Sequence, residues 1–133
     1  MQPKLLKTGV SEYEQAPFDG ENKSGLQSIG EKVLIMIDQV GEKTKGGITL
    51  THEMRDRQNM AAETGIIAAI GDDAFTWSAD KSRPWGGYRP KVGDCVYIER
   101  YSGALFPGDD GMAYRVLDDR CIGAVRHNQI VKN

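Results

Sequence analysis

Five consecutive apolar residues, Val33-Leu34-Ile35-Met36-Ile37, constrain the fold of this chain more than any other feature. They lie in Lys32 to Asp38 (KVLIMID), a run too short to span a bilayer and rich enough in aliphatic and β-branched residues to predict a strand. Successive side chains of a strand point to opposite faces, so an unbroken apolar run predicts that both faces are covered. A small β-fold has one interior. The second face then needs another partner, and a neighbouring subunit is the simplest candidate, with loops or the N-terminal arm as the alternative.

The remaining apolar segments are also short, and glycine-containing turns separate them. Thr64 to Ile70 (TGIIAAI), Asp94 to Tyr101 (DCVYIERY), Met112 to Leu117 (MAYRVL) and Cys121 to Val125 (CIGAV) read as further strands. The stretch HEMRDRQNMAAE has helix-forming residues but no core-facing period, and it reads as a polar loop. The expected fold class is all-β, a small and mostly antiparallel β-barrel or sandwich. Residues 1–24 are polar and carry Pro3, Pro17 and Gly20, which predicts a flexible N-terminal arm ahead of a β-barrel domain over 25–133.

Composition excludes several functions. A chain of 133 residues with a net charge of −2 lacks the basic surface that phosphate neutralisation requires, so nucleic acid is not an expected partner. No run is long enough for a membrane, and the acidic N-terminus has the wrong sign for a mitochondrial presequence, which leaves the cytoplasm as the expected compartment. Cys95 and Cys121 are too few for a disulfide framework. His52 and His127 do not stand at metal-ligand spacing from either cysteine, so no metal site is expected. The pairs Asp72-Asp73, Asp109-Asp110 and Asp118-Asp119 lie beside glycines or at turns and read as turn-forming carboxylates. No phosphate-binding glycine loop is present, and no catalytic residue or enzymatic reaction suggests itself.

One stretch does not fit a solvated loop. Lys43 to Leu50 (KTKGGITL) places Ile48 and Leu50, two large apolar residues, just before a polar run. The motifs EKVLIMID, TKGGITL, GIIAAIG, KVGDCVYIERYSG and YRVLDDRCIGAV, taken in order from about Leu26 to Val125, resemble the GroES-type co-chaperonins (the ten-kilodalton chaperonin family). TKGGI and the spacing of Glu99, Tyr101 and Gly103 look most like mitochondrial members. The resemblance implies a GroES-like antiparallel β-barrel assembled as a homo-heptameric ring. It implies that this ring caps a GroEL-type chaperonin and assists folding of unfolded client proteins in the closed chamber. ATP is then bound and hydrolysed by the partner, and the chain itself needs no cofactor.

The resemblance also implies roles for particular residues. A mobile loop over about 43–63 would dock on the chaperonin through Gly46, Gly47, Ile48, Thr49 and Leu50. Ile48 and Leu50, two apart in an extended chain, project to one side and suit adjacent apolar pockets. Leu26, Ile29, Ile122 and Val125 would form the subunit interface. A roof segment over about 72–89 would carry Phe75, Trp77, Trp85 and Tyr88, either packed within a hairpin or facing clients. Thr49 stands where relatives usually have a third apolar residue, the stretch after Leu50 is unusually charged, and short relatives lack an N-terminal arm. These departures suggest a divergent form, phage-encoded and serving a host chaperonin. The alternative is an oligonucleotide-binding barrel, for which Lys81, Arg83 and Arg89 among the same aromatics would form the groove. A third reading, a fragment of an enzyme with a GroES-like domain, lacks the cofactor fingerprint.

Overall fold

A computed structural model describes residues 6–8, 11–40, 51–78 and 80–127. The elements in chain order are β1 (Leu6–Thr8), β2 (Ser11–Glu14), β3 (Lys32–Ile37), β4 (Gln39–Val40), α1 (His52–Ala61), β5 (Thr64–Ile70), β6 (Cys95–Ile98), β7 (Ala104–Pro107), β8 (Ala113–Asp118), a 3₁₀ turn (Asp119–Cys121) and β9 (Ile122–Arg126). Six strands form one antiparallel sheet in the order β7-β8-β3-β5-β6-β9, and a smaller sheet has the order β1-β2-β4.

The apolar run forms the centre of the larger sheet. β3 pairs with β5 on one side and β8 on the other, so its backbone groups are used in both directions. Its side chains alternate as the pleat requires. Val33, Ile35 and Ile37 enter one core cluster with Ile67, Val96, Ile98 and Leu117, while Leu34 and Met36 enter a second with Ile66, Ala68 and Tyr114. The first cluster also gathers Leu105 from β7 and Ile122 and Val125 from β9, the two outer strands. Side chains from both edges reach a common core only because the sheet curls, which is the small GroES-like β-fold expected from the sequence.

The second cluster corrects one expectation. Ala16, Phe18 and Leu26 of the N-terminal segment pack on it. The outer face of β3 is therefore covered by the chain's own residues, and its apolar run is no argument for a neighbouring subunit. Residues 11–24, expected as a flexible arm, are docked where they are described. β2 pairs with β4, Ala16 is buried, and Ser24 is 1% exposed with its carbonyl accepting from the Asp109 N–H at 2.8 Å.

The polar stretch after Thr51 is a helix, not a loop. Helix α1 buries only Ala61, so packing of an apolar face does not explain it. Its ends do. The Thr51 hydroxyl accepts from the Met54 N–H at 3.1 Å, Glu53 lies in the first turn, and Glu53 pairs with Arg57 one turn on at 3.9 Å. The other end is held by Arg115 of β8.

The strand β7 also escaped the sequence pattern. It is four residues long, ends at Pro107, and lies at the sheet's edge, where a missing N–H costs no ladder bond. Gly103 precedes it with a φ of +73°, and a Cβ there would collide with the Val116 carbonyl.

Candidate functional site

The expected docking residues Gly46, Gly47, Ile48, Thr49 and Leu50 lie outside the described residues. What is described is the framework on either side. β3 ends at Ile37, Asp38 follows, and β4 leads the chain away; α1 and β5 bring it back. The two stems are joined at their base. The Asp38 N–H donates to the Thr64 carbonyl at 3.1 Å, and the Asp38 carboxylate accepts the Thr64 hydroxyl and, at 3.0 Å, the Ala16 N–H. Burial raises the Asp38 carboxyl above the usual carboxylate range, and the hydrogen bonds from Thr64 and Ala16 oppose that shift.

The return stem is fixed by Arg115, which sequence reasoning did not single out. Its side chain is fully buried. The guanidinium donates to the carbonyls of Ala62 (2.7 Å), Asn59 (3.4 Å), Glu99 (2.8 Å) and Ser102 (2.9 Å), and to the Ser102 hydroxyl (3.0 Å). It thus satisfies carbonyls that the end of α1 leaves open and ties them to the turn between β6 and β7. The Tyr101 N–H adds a bond to the Met60 carbonyl at 2.7 Å. A charged residue inside an apolar strand pattern (MAYRVL) was the one available signal.

The four expected interface residues divide. Ile29 is 78% exposed, the most exposed large apolar side chain among the described residues, whereas Leu26 packs against the second core cluster. Ile122 and Val125 are half-buried on β9, whose far edge has no strand partner among the described residues. Residues 26–29 likewise form no ladder. The Ile29 carbonyl accepts from the Lys32 N–H at 3.1 Å, which holds this segment to the start of β3 while the Ile29 side chain stays exposed.

The roof residues also divide. A hairpin is present, with Trp77 bridged to Pro84, the Trp85 N–H bonded to the Thr76 carbonyl at 3.0 Å and the Ser78 N–H to the Arg83 carbonyl at 2.8 Å. Phe75 is not on it. Its φ of +59° turns the ring into the main core, where it is 1% exposed, and the Asp119 carboxylate accepts its N–H at 2.8 Å. Trp85 meets the Phe75 ring edge-on at 5.2 Å, and its indole N–H donates to the Tyr88 carbonyl at 2.9 Å. Trp77 and Tyr88 remain exposed, 47% and 44%. Tyr88 is held by its hydroxyl to Asp94 at 2.9 Å and by an edge contact with His127. Packing against the main core therefore accounts for Phe75 and Trp85 but not for Trp77.

Two of the four aromatics face inward, Lys81 pairs with Glu31, and Arg89 reaches the Ala74 carbonyl. Three of the paired carboxylates have structural partners. Asp110 accepts from the Met112 N–H and the Tyr114 hydroxyl, Asp118 from Lys32, and Asp119 from Phe75. Burial pushes the Cys95 thiol up to about 11, so it is a poor nucleophile. Among the described residues no carboxylate, cysteine or histidine cluster suits a metal, and no helix is long and apolar enough to cross a membrane.

The chain's similarities to other proteins follow this framework. The family model described as Chaperonin 10 Kd subunit matches residues 25–126. The chain is 32% identical over 100 residues to the co-chaperonin GroES of Lactobacillus acidophilus, which covers 75% of this chain and 97% of that protein. It is 30% identical over 103 residues to the co-chaperonin GroES of Lacticaseibacillus paracasei, covering 75% and 98%. The 20 kDa chloroplastic chaperonin of Arabidopsis thaliana is 26% identical over 100 residues, 75% of this chain and 36% of that protein.

Proposed function

The chain belongs to the chaperonin 10 kDa subunit family, and from that premise we propose that it is a co-chaperonin whose ring caps a GroEL-type chaperonin. Seven copies assemble through Ile29 and the free edge of β9. The ring closes a chamber in which unfolded clients fold, and ATP is bound and hydrolysed by the chaperonin. The chain itself is not an enzyme, and it works in the cytoplasm, that of the host if the gene is viral. Residues 1–24 precede the family unit over 25–133, and the roof lies over about 72–89, with Trp77 and Tyr88 as its exposed aromatics.

The observation that carries this reading is the position of KTKGGITL. It falls in the connection between β4 and α1, inside the region that matches the family and beyond a stem whose two sides are tied together at Asp38 and Thr64. Gly46 and Gly47 let the backbone adapt, and Ile48 and Leu50 provide apolar anchors with Thr49 between them. Burying one large aliphatic side chain contributes about 1.5–3 kcal/mol. Seven tethered copies turn modest contacts into avidity, yet each remains weak enough for release.

Leu50→Asp tests this. The variant should assemble as the unaltered protein does and fail to cap the chaperonin in the presence of nucleotide, measured by co-sedimentation. Normal capping by Leu50→Asp would remove this connection from the docking mechanism.

A further inference from the structure

The N-terminal segment is an addition to the family unit. The family match begins at residue 25, and the bacterial relatives are covered almost entirely by three quarters of this chain. Such an addition could be a passive tail, but its contacts are not those of a tail. It meets the body at three places. β2 pairs with β4, with Tyr13 opposite Val40 and Glu14 opposite Gln39. Ala16 is buried, and its N–H reaches the Asp38 carboxylate at 3.0 Å. Phe18 packs on the second core cluster, as does Leu26 at the start of the family unit, and the Ser24 carbonyl accepts from the Asp109 N–H in the turn between β7 and β8.

Two of these three contacts fall on the stem that carries the docking connection. Asp38 is 4% exposed and receives the Thr64 hydroxyl as well as the Ala16 N–H, so one buried carboxylate links the outgoing stem, the return stem and the N-terminal segment. Burying a carboxylate is costly unless its oxygens are satisfied, and here the added segment supplies one of the donors. We propose that residues 11–26 are a strap that positions the docking stem, with Ala16, Asp38 and Thr64 as the positioning residues at its buckle. This rests on the reading that the connection after β4 docks on the chaperonin.

The physical consequence follows from ordering costs. A stem that is already held loses less conformational freedom when the connection beyond it binds, so less of the contact energy is spent on ordering. Releasing the strap raises that cost in every copy of the ring, and the loss multiplies across copies. Phe18 and Leu26 anchor the far end of the strap independently of the stem. Removing β1 and β2 therefore leaves the second core face covered.

The test compares the full chain with three variants: deletion of residues 1–14, Asp38→Ala and Asp38→Asn. Amide exchange at residues 38–40 and 64 in the free protein reads the stem, and nucleotide-dependent affinity for the chaperonin reads docking. The deletion and Asp38→Ala should speed exchange at these positions by about tenfold or more and weaken capping by at least a comparable factor. Exchange in β3 and β8 should stay unchanged, which separates a loosened stem from general destabilisation. Asp38→Asn keeps an acceptor oxygen for the Ala16 N–H, and its amide NH2 can donate to the Thr64 hydroxyl, so it should restore most of both properties. Unchanged exchange at 38–40 in the deletion would overturn the strap, and so would faster exchange with unaltered capping. If the full chain does not cap at all, the docking reading falls, and the exchange result alone then decides whether the segment orders the stem.

Discussion

Arg115 offers the sharpest test of how the fold holds the return stem. In Arg115→Met the side-chain volume is roughly kept and the donors are lost. The carbonyls of Ala62, Glu99 and Ser102 then lose bonds of 2.7–3.1 Å to a buried cation. A hydrogen bond to a charged group contributes about 1.5–3 kcal/mol, and a buried acceptor left without a partner costs about 1–3 kcal/mol. Some of these carbonyls will recover water when the helix end frays, so a loss of about 3–5 kcal/mol is expected, a large part of the stability of a domain this size. Arg115→Lys should recover little, because an ammonium on a flexible stem cannot span the end of α1 and the β6–β7 turn together. Urea unfolding at matched protomer concentration gives the loss, since assembly contributes to apparent stability. Amide exchange locates it, with 52–61 losing protection before β3 and β5. A loss below about 1 kcal/mol for Arg115→Met, or uniform loss of protection, would refute the reasoning.

Three further outcomes follow. Trp77 is exposed and Trp85 is packed on Phe75, so the native protein should show a red, iodide-quenched emission component that Trp77→Phe removes; a wholly blue, unquenched spectrum would place Trp77 in an interface. Deleting residues 1–14 should spare the ring, whereas deletion through Ile29 should give monomers by native mass spectrometry. Deletion through Ser24 should destabilise the fold, because it removes Ala16 and Phe18 from the second core face. The raised Asp38 carboxyl favours the fold in its protonated form. Its contribution is therefore fully present below the unfolded value near 3.9 and is lost as pH rises through the folded value. Asp38→Asn should gain stability relative to the unaltered chain as pH rises from the unfolded value through the raised folded value, and a difference independent of pH would show that this carboxyl is not perturbed.

What the sequence reveals depends on where the stabilising contacts lie. β3 and β5 are legible because continuous burial on two faces leaves an unbroken apolar run. Helix α1 is not, because it buries almost nothing of its own and depends on Arg115, 53 residues beyond Ala62. The Thr51 cap, followed by Glu53, was the local clue. The N-terminal segment looks like a tail by composition because its ties are strand pairing, a main-chain N–H and two isolated apolar residues, Ala16 and Phe18, which leave no apolar period. Phe75 was placed on the roof by its neighbours in sequence, but a left-handed backbone turn sends it into the core. Among the interface expectations, Ile29 fits an exposed contact and Leu26 does not, since residues three apart on an irregular segment need not share a direction. The docking role proposed for Gly46 to Leu50 rests on the resemblance alone, since their own pattern also suits an ordinary strand.

The central claim is that this chain forms a ring that closes a chaperonin. Native mass spectrometry of the pure protein, alone and then mixed with a GroEL-type chaperonin and nucleotide, tests it most directly. The account predicts a seven-copy ring alone and a complex carrying that ring only when nucleotide is present. A stable monomer that forms no complex with the chaperonin in any nucleotide state would contradict it.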